Sequence, residues 1–330
     1  MKERKYPVPA SAQKLIDRIV ARENLTIIQV FRTGPRFYVA EVLYNKKRAL
    51  LKVCIHTKSD DYWTNLKFGK EVLFLQYLKK SKHPGSRSLA PHIYAGGTGS
   101  RSWYIREYIT GTQYNIRQGN IRFRDTFFTT KNRKDIVASF QDLQSIRSSH
   151  LPQTFRKLLG RYDTIEQEEK LLAPYWARIA GFIHDPKAKR DLPRMLAEQS
   201  VVYDHTPSVL SHQEPYASHF IRTGNKLRLI DWENINWTNP VHDLSKLWMR
   251  AAKHPRWQEA IKKDAQRITK PLLGDHFDAV WETSLLIKSL FNVVSFPYYK
   301  DQADFRPLHA VSQRMIKERL HVWRHKRASS

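Results

Sequence analysis

The residues best suited to chemistry lie between Val209 and Leu247. Here His212 and Glu214 stand two apart, His219 follows Glu214 by five, an apolar run Leu227–Ile230 ends in Asp231-Trp232-Glu233, and Asn239-Pro-Val-His-Asp243-Leu244 comes next. Moving a phosphoryl group takes few parts: charges to hold the phosphates, metal ions to bridge them, and a carboxylate to orient the attacking hydroxyl. Glu214 suits the last role. Asp231, at a strand end, and His219 suit a divalent metal held from two sides. His212 suits packing and orienting the loop, and Asp243 suits capping the next helix and tying the loop down. A zinc site from His205, His212, His219 and Asp231 is the alternative, but their spacing fits no structural zinc pattern and Cys54 is the sole cysteine.

Upstream, Lys52 sits inside the apolar run Ala49–Ile55. On a strand, Leu50, Lys52 and Cys54 share a face, where a lysine is costly without a partner. Lys52 then reads as a phosphate ligand and Glu71, on the following helix, as its partner. The plain alternatives are an edge-strand lysine in solvent and a helical Glu71 paired with Lys67 or Lys70. Gly34, in Arg32-Thr-Gly-Pro-Arg36, suits a turn lying over phosphates or an ordinary hairpin turn. Trp103–Gly111 is a strand running into a glycine. Around Glu107 and Ile109 its backbone suits an adenine ring; the alternative is an edge strand and linker.

These residues, in this order, resemble the aminoglycoside phosphotransferase and choline-kinase-like family. Its signature is His-Gly-Asp-x-x-x-x-Asn, a strand ending Ile-Asp-Trp-Glu, then Asp-Pro-x-x-Asp-Leu. Here the matching positions are His212-Gln213-Glu214 with His219, Ile230-Asp231-Trp232-Glu233, and Asn239-Pro240 with Asp243-Leu244. Lys52 matches the family's strand lysine, Glu71 its helix partner, and Arg106–Gly111 the segment joining two lobes. The resemblance covers about residues 25–250. It implies a protein-kinase-like fold, ATP with Mg²⁺ or Mn²⁺, and transfer of the γ-phosphate to a hydroxyl. Glu214 and His212 are then catalytic; Lys52, Glu71, Gly34, Glu107 and Ile109 bind nucleotide; Asp231 and His219 bind metal. Glu214 and His219 replace the family's Asp and Asn, and Gln213 its glycine. The alternative is therefore an impaired pseudokinase, a nucleotide- or partner-binding scaffold.

The elements that would position these residues follow from periodicity. Ser11–Glu23 has helical spacing with Ser11 as N-cap. Strands are expected at 25–31, 37–43, 48–55, 91–95 and 103–109, with a helix at 60–80 after the third. Beyond Gly111 helices are expected at 136–146, 151–159, 165–183, 243–252, 256–269, 276–294 and 308–327, with short strands at 209–211, 220–222 and 227–230. The result is an α+β, two-lobed chain: a small antiparallel-sheet nucleotide lobe over 1–110 and a mostly helical lobe over 111–330 carrying the catalytic loop and acceptor site.

The 330 residues hold 57 Lys and Arg against 31 Asp and Glu, a net charge of +26. Such a basic protein favours anionic partners and disfavours a polycation such as an aminoglycoside. The expected acceptor is a small molecule, an anionic glycan or a lipid-linked alcohol. Two basic stretches, 114–134 and 305–330, also suit nucleic acid, with Phe123, Phe127, Phe128, His321 and Trp323 to stack on bases, or peripheral membrane contact by the tail. A solvated basic face is the plain alternative. No apolar run is long enough to span a membrane, the N-terminus lacks a secretory pattern, and one cysteine suits a reducing cytoplasm. Oligomeric state is left open.

Overall fold

The computed structural model describes residues 7–56, 61–81, 90–115, 122–299 and 305–329. The loop after the second helix (82–89), residues 116–121 of the first basic stretch and Ser330 lie outside them. The chain divides into two compact units: Met1–Thr112 with Ile146–Leu159 and Ile221–Ile235, and Gln113–Ser145 with Gly160–Phe220 and Asn236–Ser330.

The first unit opens with α1 (Ala10–Arg22). Five antiparallel strands follow: β1 (Thr26–Thr33), β2 (Phe37–Tyr44), β3 (Lys47–Cys54), β4 (Ile93–Gly97) and β5 (Trp103–Glu107). They are ordered β1-β2-β3-β5-β4, and α2 (Tyr62–Lys80) is inserted after β3. On β3, Ala49, Leu51 and Val53 are fully buried, while Leu50 and Lys52 between them are less so. The buried face also carries Ala40, Val42 and Ile105 and is covered by Ala12, Ile16 and Ile19 of α1. Each large aliphatic side chain buried this way contributes roughly 1.5–3 kcal/mol. Leu50 and Lys52 lie on the opposite face.

Helix α1 is not capped by Ser11. The Pro9 carbonyl accepts from Ala12 N (2.8 Å) and Gln13 N (2.9 Å), so the helix starts at Ala10. Proline, with its fixed φ and no N–H, is suited to a helix entry, and the Ser11 hydroxyl instead accepts from Arg101 (2.9 Å). Asp61 caps α2, accepting from Thr64 N at 2.9 Å. Helix α2 buries Phe68, Glu71, Val72, Phe74, Leu75 and Leu78. Its Phe74 ring packs on Trp232 (4.8 Å) and Phe155 (6.0 Å), which ties the two later segments into this unit. The helix expected at 151–159 is a single turn, Gln153–Arg156.

In the second unit, α3 (Thr130–Gln144) precedes α4 (Ile165–Leu172) and α5 (Trp176–Phe182). One continuous helix was expected over 165–183. Pro174 lies in a 3-10 turn between the two observed pieces, where its missing N–H breaks the hydrogen-bond ladder. Helix α6 (Ala188–Tyr203) has no counterpart in the sequence reading. Pro193 interrupts its pattern, yet Ala188, Leu192, Met195, Leu196 and Tyr203 fall on one buried face. Strand Asn236–Thr238 is likewise additional. It pairs antiparallel with Val209–Ser211 and parallel with Arg161–Tyr162. Four helices complete the unit: α7 (His242–Arg250), α8 (Pro255–Leu273), α9 (Phe277–Tyr299) and α10 (Phe305–Ala328). None of the described helices is long and apolar enough to cross a membrane.

Two of the five aromatic residues expected to stack on bases are core, while Phe128 and Trp323 are half-buried and His321 is exposed. Phe123 and Phe127 are 4% and 0% exposed and pack against each other (4.2 Å). Phe127 also packs on Phe220 (5.2 Å), and Phe128 stacks on His254 (4.2 Å). The Trp323 indole donates to Glu198 at 2.6 Å. Burial claims Phe123 and Phe127 before any base does.

Gly111 is required by a close approach. A Cβ there would lie 2.2 Å from the Arg222 carbonyl oxygen, beside the Thr223 hydroxyl bond to Thr110 O (2.8 Å). Gly111→Ala is expected to cost about 1–3 kcal/mol, read as a lower midpoint in urea unfolding.

Candidate active site

The first unit gathers one ammonium among three carboxylates. β3 presents Lys52, whose Nζ lies 3.1 Å from Glu71 Oε2 and 3.6 Å from Asp231 Oδ1. The rings of Phe37 and Phe68 flank it at 4.6 and 4.7 Å. Burial works against the charge on Lys52, but Glu71, Tyr104, Asp231 and Glu233 outweigh it and hold the ammonium well above its ordinary value. Both alternatives for this pair, a solvent-facing Lys52 and a Glu71 held by Lys67 or Lys70, are thereby displaced. Lys70 instead donates to Ile235 O at 3.2 Å, and burial lowers it to about 8.

Asp231 stands at a left-handed position (φ 67°), just beyond strand Lys226–Leu229. Such backbone persists where packing over-determines it; here the buried Trp232 indole donates back to Leu229 O at 2.9 Å. Burial, then the Asp231 charge, pushes the neighbouring Glu233 up to about 7, against the pull of Lys52. Glu233 was visible in the motif but had been given no role.

Gly34 closes the β1–β2 hairpin, donating its N–H to Phe37 O at 3.1 Å. That amide is spent within the turn. Glu107 is equally committed: its N–H donates to His92 O (2.8 Å), its carbonyl accepts from Arg106 (2.9 Å), and its carboxylate accepts from His92 N (3.1 Å). Among the described residues none hydrogen-bonds to the backbone of Ile109, so its N–H and C=O remain available.

In the second unit, strand Val209–Ser211 delivers the loop 212–219. Asp243, buried on α7, accepts from the backbone N–H of His212 (2.8 Å) and of Gln213 (2.9 Å). Burial pushes its carboxyl above the usual range, opposed by these bonds and by Lys246. His212 is fully buried, and its Nδ1 accepts from Glu214 N at 3.3 Å. It therefore shapes the loop. His219 Nδ1 lies 2.7 Å from the Glu214 carbonyl, so in the neutral ring Nδ1 carries the proton and Nε2 the lone pair. This is the arrangement that metal-bound histidines use. Gln213 adopts φ 66°, the left-handed region that glycine fills without strain. Among the described residues no three His, Cys, Asp or Glu side chains converge to hold a metal, which leaves the zinc alternative without support.

The sequence profile of the phosphotransferase enzyme family matches residues 28–274. The chain belongs to that family. Solved structures similar to it include the GDP complex of aminoglycoside 2'-phosphotransferase-IIIa, at 11% identity and TM-score 0.60, covering 94% of this chain and 98% of that one. The streptomycin–ATP complex of APH(2")-IIa matches at 12% identity and TM-score 0.57, over 94% and 99%. A thermostable mutant of APH(4)-Ia, solved with ADP and hygromycin B, matches at 12% and 0.53, over 92% and 97%. At such identities the likeness shows the fold: the two-lobed, protein-kinase-like α+β class. No curated protein matches the sequence.

Within this family member, charges that the sequence reading passed over back the loop. Lys246 donates to the Gln213 carbonyl. Lys288 of α9 lies 3.0 Å from His242 Nδ1. Burial raises Glu168 of α4 to about 7, opposed by Lys288 and Lys246, and lowers Lys288 well below its ordinary value. Burial thus drives both partners toward neutrality. A carboxyl raised in the folded state stabilises below its unfolded value, near 4.5, and that contribution is lost as pH rises through about 7. Glu168→Gln removes the titration. It is expected to gain stability relative to wild type, by up to about 3 kcal/mol, as pH rises across that window. Urea unfolding at both ends reads it.

Proposed function

We propose that the chain is an ATP-dependent phosphotransferase that acts on a hydroxyl of a small molecule. The observation that carries this reading is Lys52 held between Glu71 at 3.1 Å and Asp231 at 3.6 Å. A lysine charged, oriented and partly desolvated in this way is suited to nucleotide phosphates, and Asp231 beside it offers a carboxylate oxygen to a divalent cation. The solved relatives support nucleotide use, since they were solved with GDP, ADP and ATP.

In this reading Lys52 binds the phosphates, Glu71 positions it, and the free backbone of Ile109 meets the base. Asp231 holds Mg²⁺ or Mn²⁺. His219 offers Nε2 as a further ligand, and an imidazole there favours Mn²⁺ more than the family's asparagine would. A metal held by these residues would supply charge neutralisation to the transferred phosphoryl group. Glu214 accepts the proton of the acceptor hydroxyl. The new O–P bond forms as the γ-phosphorus leaves the β-phosphate oxygen of ATP.

Glutamate at 214 is one methylene longer than the family's aspartate, and a displacement of about 1 Å can cost on the order of 100-fold. The loop compensates by anchoring Glu214 on both sides: its N–H to His212 and its carbonyl to His219. Gln213 in a left-handed conformation favours the second reading, an impaired pseudokinase.

Calorimetric titration of ATP with and without Mg²⁺ or Mn²⁺ decides the first point. Metal-dependent binding is expected in wild type and lost in Asp231→Ala; no binding with any metal removes the nucleotide reading. Glu214→Gln is expected to lower transfer by about 100-fold or more while ATP still binds, and Glu214→Asp to keep or raise it. Nucleotide binding without turnover on any acceptor would establish the scaffold instead.

A further inference from the structure

The catalytic loop is bordered by cations that neither the nucleotide nor the metal requires. Lys246 and Arg250 stand four residues apart on α7, hence on one face and about 6 Å apart along the axis. Both turn toward the loop. Lys246 donates to the carbonyl of Gln213, and the Arg250 guanidinium lies 5.6 Å from the centre of the Tyr216 ring. Lys246 has acidic company in Glu214, Asp243 and Glu168. Arg250 does not: among the described residues no carboxylate acts on its charge, and the Tyr216 ring is what it faces.

A partly buried guanidinium without a counter-ion is costly. Burial lowers its ordinary value, and among the described residues the Tyr216 phenol opposes that change. The group is planar and presents paired donors that match a carboxylate or a phosphate. Of the three carboxylates beside Lys246, Asp243 is already engaged by two backbone N–H groups and burial pushes Glu168 up to about 7, which leaves Glu214. A polycationic acceptor would face Lys246 and Arg250 with one carboxylate in reply. Like charges brought together at a binding surface cost several kcal/mol.

We infer that the acceptor is an anionic alcohol, carrying a carboxylate or phosphate that seats on Arg250 while its hydroxyl reaches Glu214. The inference rests on the phosphotransferase reading and names its substrate class. Lys246 is a positioning residue that fixes the loop carbonyl at Gln213 and adds to the anion-favouring field. Arg250 makes the contact that discriminates. In the transfer step the acceptor's anionic group is unchanged; the hydroxyl loses its proton to Glu214 and gains the phosphoryl group as ADP leaves.

The test is calorimetric titration of inorganic phosphate, and separately of acetate, into the full chain. At least one anion is expected to bind wild type and Lys52→Met alike, since Lys52 belongs to the nucleotide group. Binding is expected to weaken about tenfold or more in Arg250→Gln and to recover in part in Arg250→Lys. Preference for phosphate assigns a phosphate-bearing alcohol, and preference for acetate a carboxylate-bearing one. Equal binding by Arg250→Gln and wild type, or no binding of either anion to wild type, overturns the inference. If Arg250→Gln proves unfolded by circular dichroism, Arg250→Lys against Arg250→Met gives the same comparison. ATP titrated into the same samples tests the phosphotransferase reading separately, because it depends on Lys52 and Asp231.

Discussion

The charge on Lys52 is the constraint around which the first unit is arranged. A lysine inside an apolar strand is tolerated only with partners, and here Glu71 and Asp231 come from segments 19 and 179 residues away along the chain. Breaking such a buried pair costs on the order of 3–5 kcal/mol, so α2 and the 221–235 segment must both be correctly placed. The packing of Phe74 on Trp232 and Phe155 does that placing. Ordinary aromatic burial therefore sets an electrostatic site.

The second unit solves a different problem, that of holding an irregular loop still. Two consecutive N–H groups, of His212 and Gln213, donate to one carboxylate, Asp243. His212 and His219 then take the N–H and carbonyl of Glu214. With its own backbone bound on both sides, the Glu214 side chain hangs from a fixed point. The family's glycine can be replaced by Gln213 because these bonds, and the one from Lys246, outweigh left-handed strain of about 1–2 kcal/mol.

Much of the fold was legible. Period-two alternation along 37–54 and helical spacing along 62–80 are local signals, and the strands and α2 fell close to their expected places. Breaks in local pattern hid the rest. Pro193 masked α6, Pro174 split a helix that looked continuous, and three-residue strands such as Asn236–Thr238 are too short to show a period. Lys52, Glu71 and Asp231 stood out in the sequence because each is an acid or base in an apolar setting, and the fold brings the three together. The contacts of Lys246 and Arg250 with the loop were not legible, because a cation on an amphipathic helix resembles a solvated one until its neighbours are known.

The sequence alone determined the family motif, the order of the elements and the excess of positive charge, because residue types, spacing and composition do not depend on contacts. Tertiary structure decided which of those charges are paired. It gave Lys52 its two carboxylates, gave Asp243 to the loop backbone, turned Phe123 and Phe127 into core, and set Arg250 beside Tyr216. The physical reason is that Coulomb and desolvation energies depend on distance and burial, and chain folding, through contacts between residues far apart in sequence, sets both.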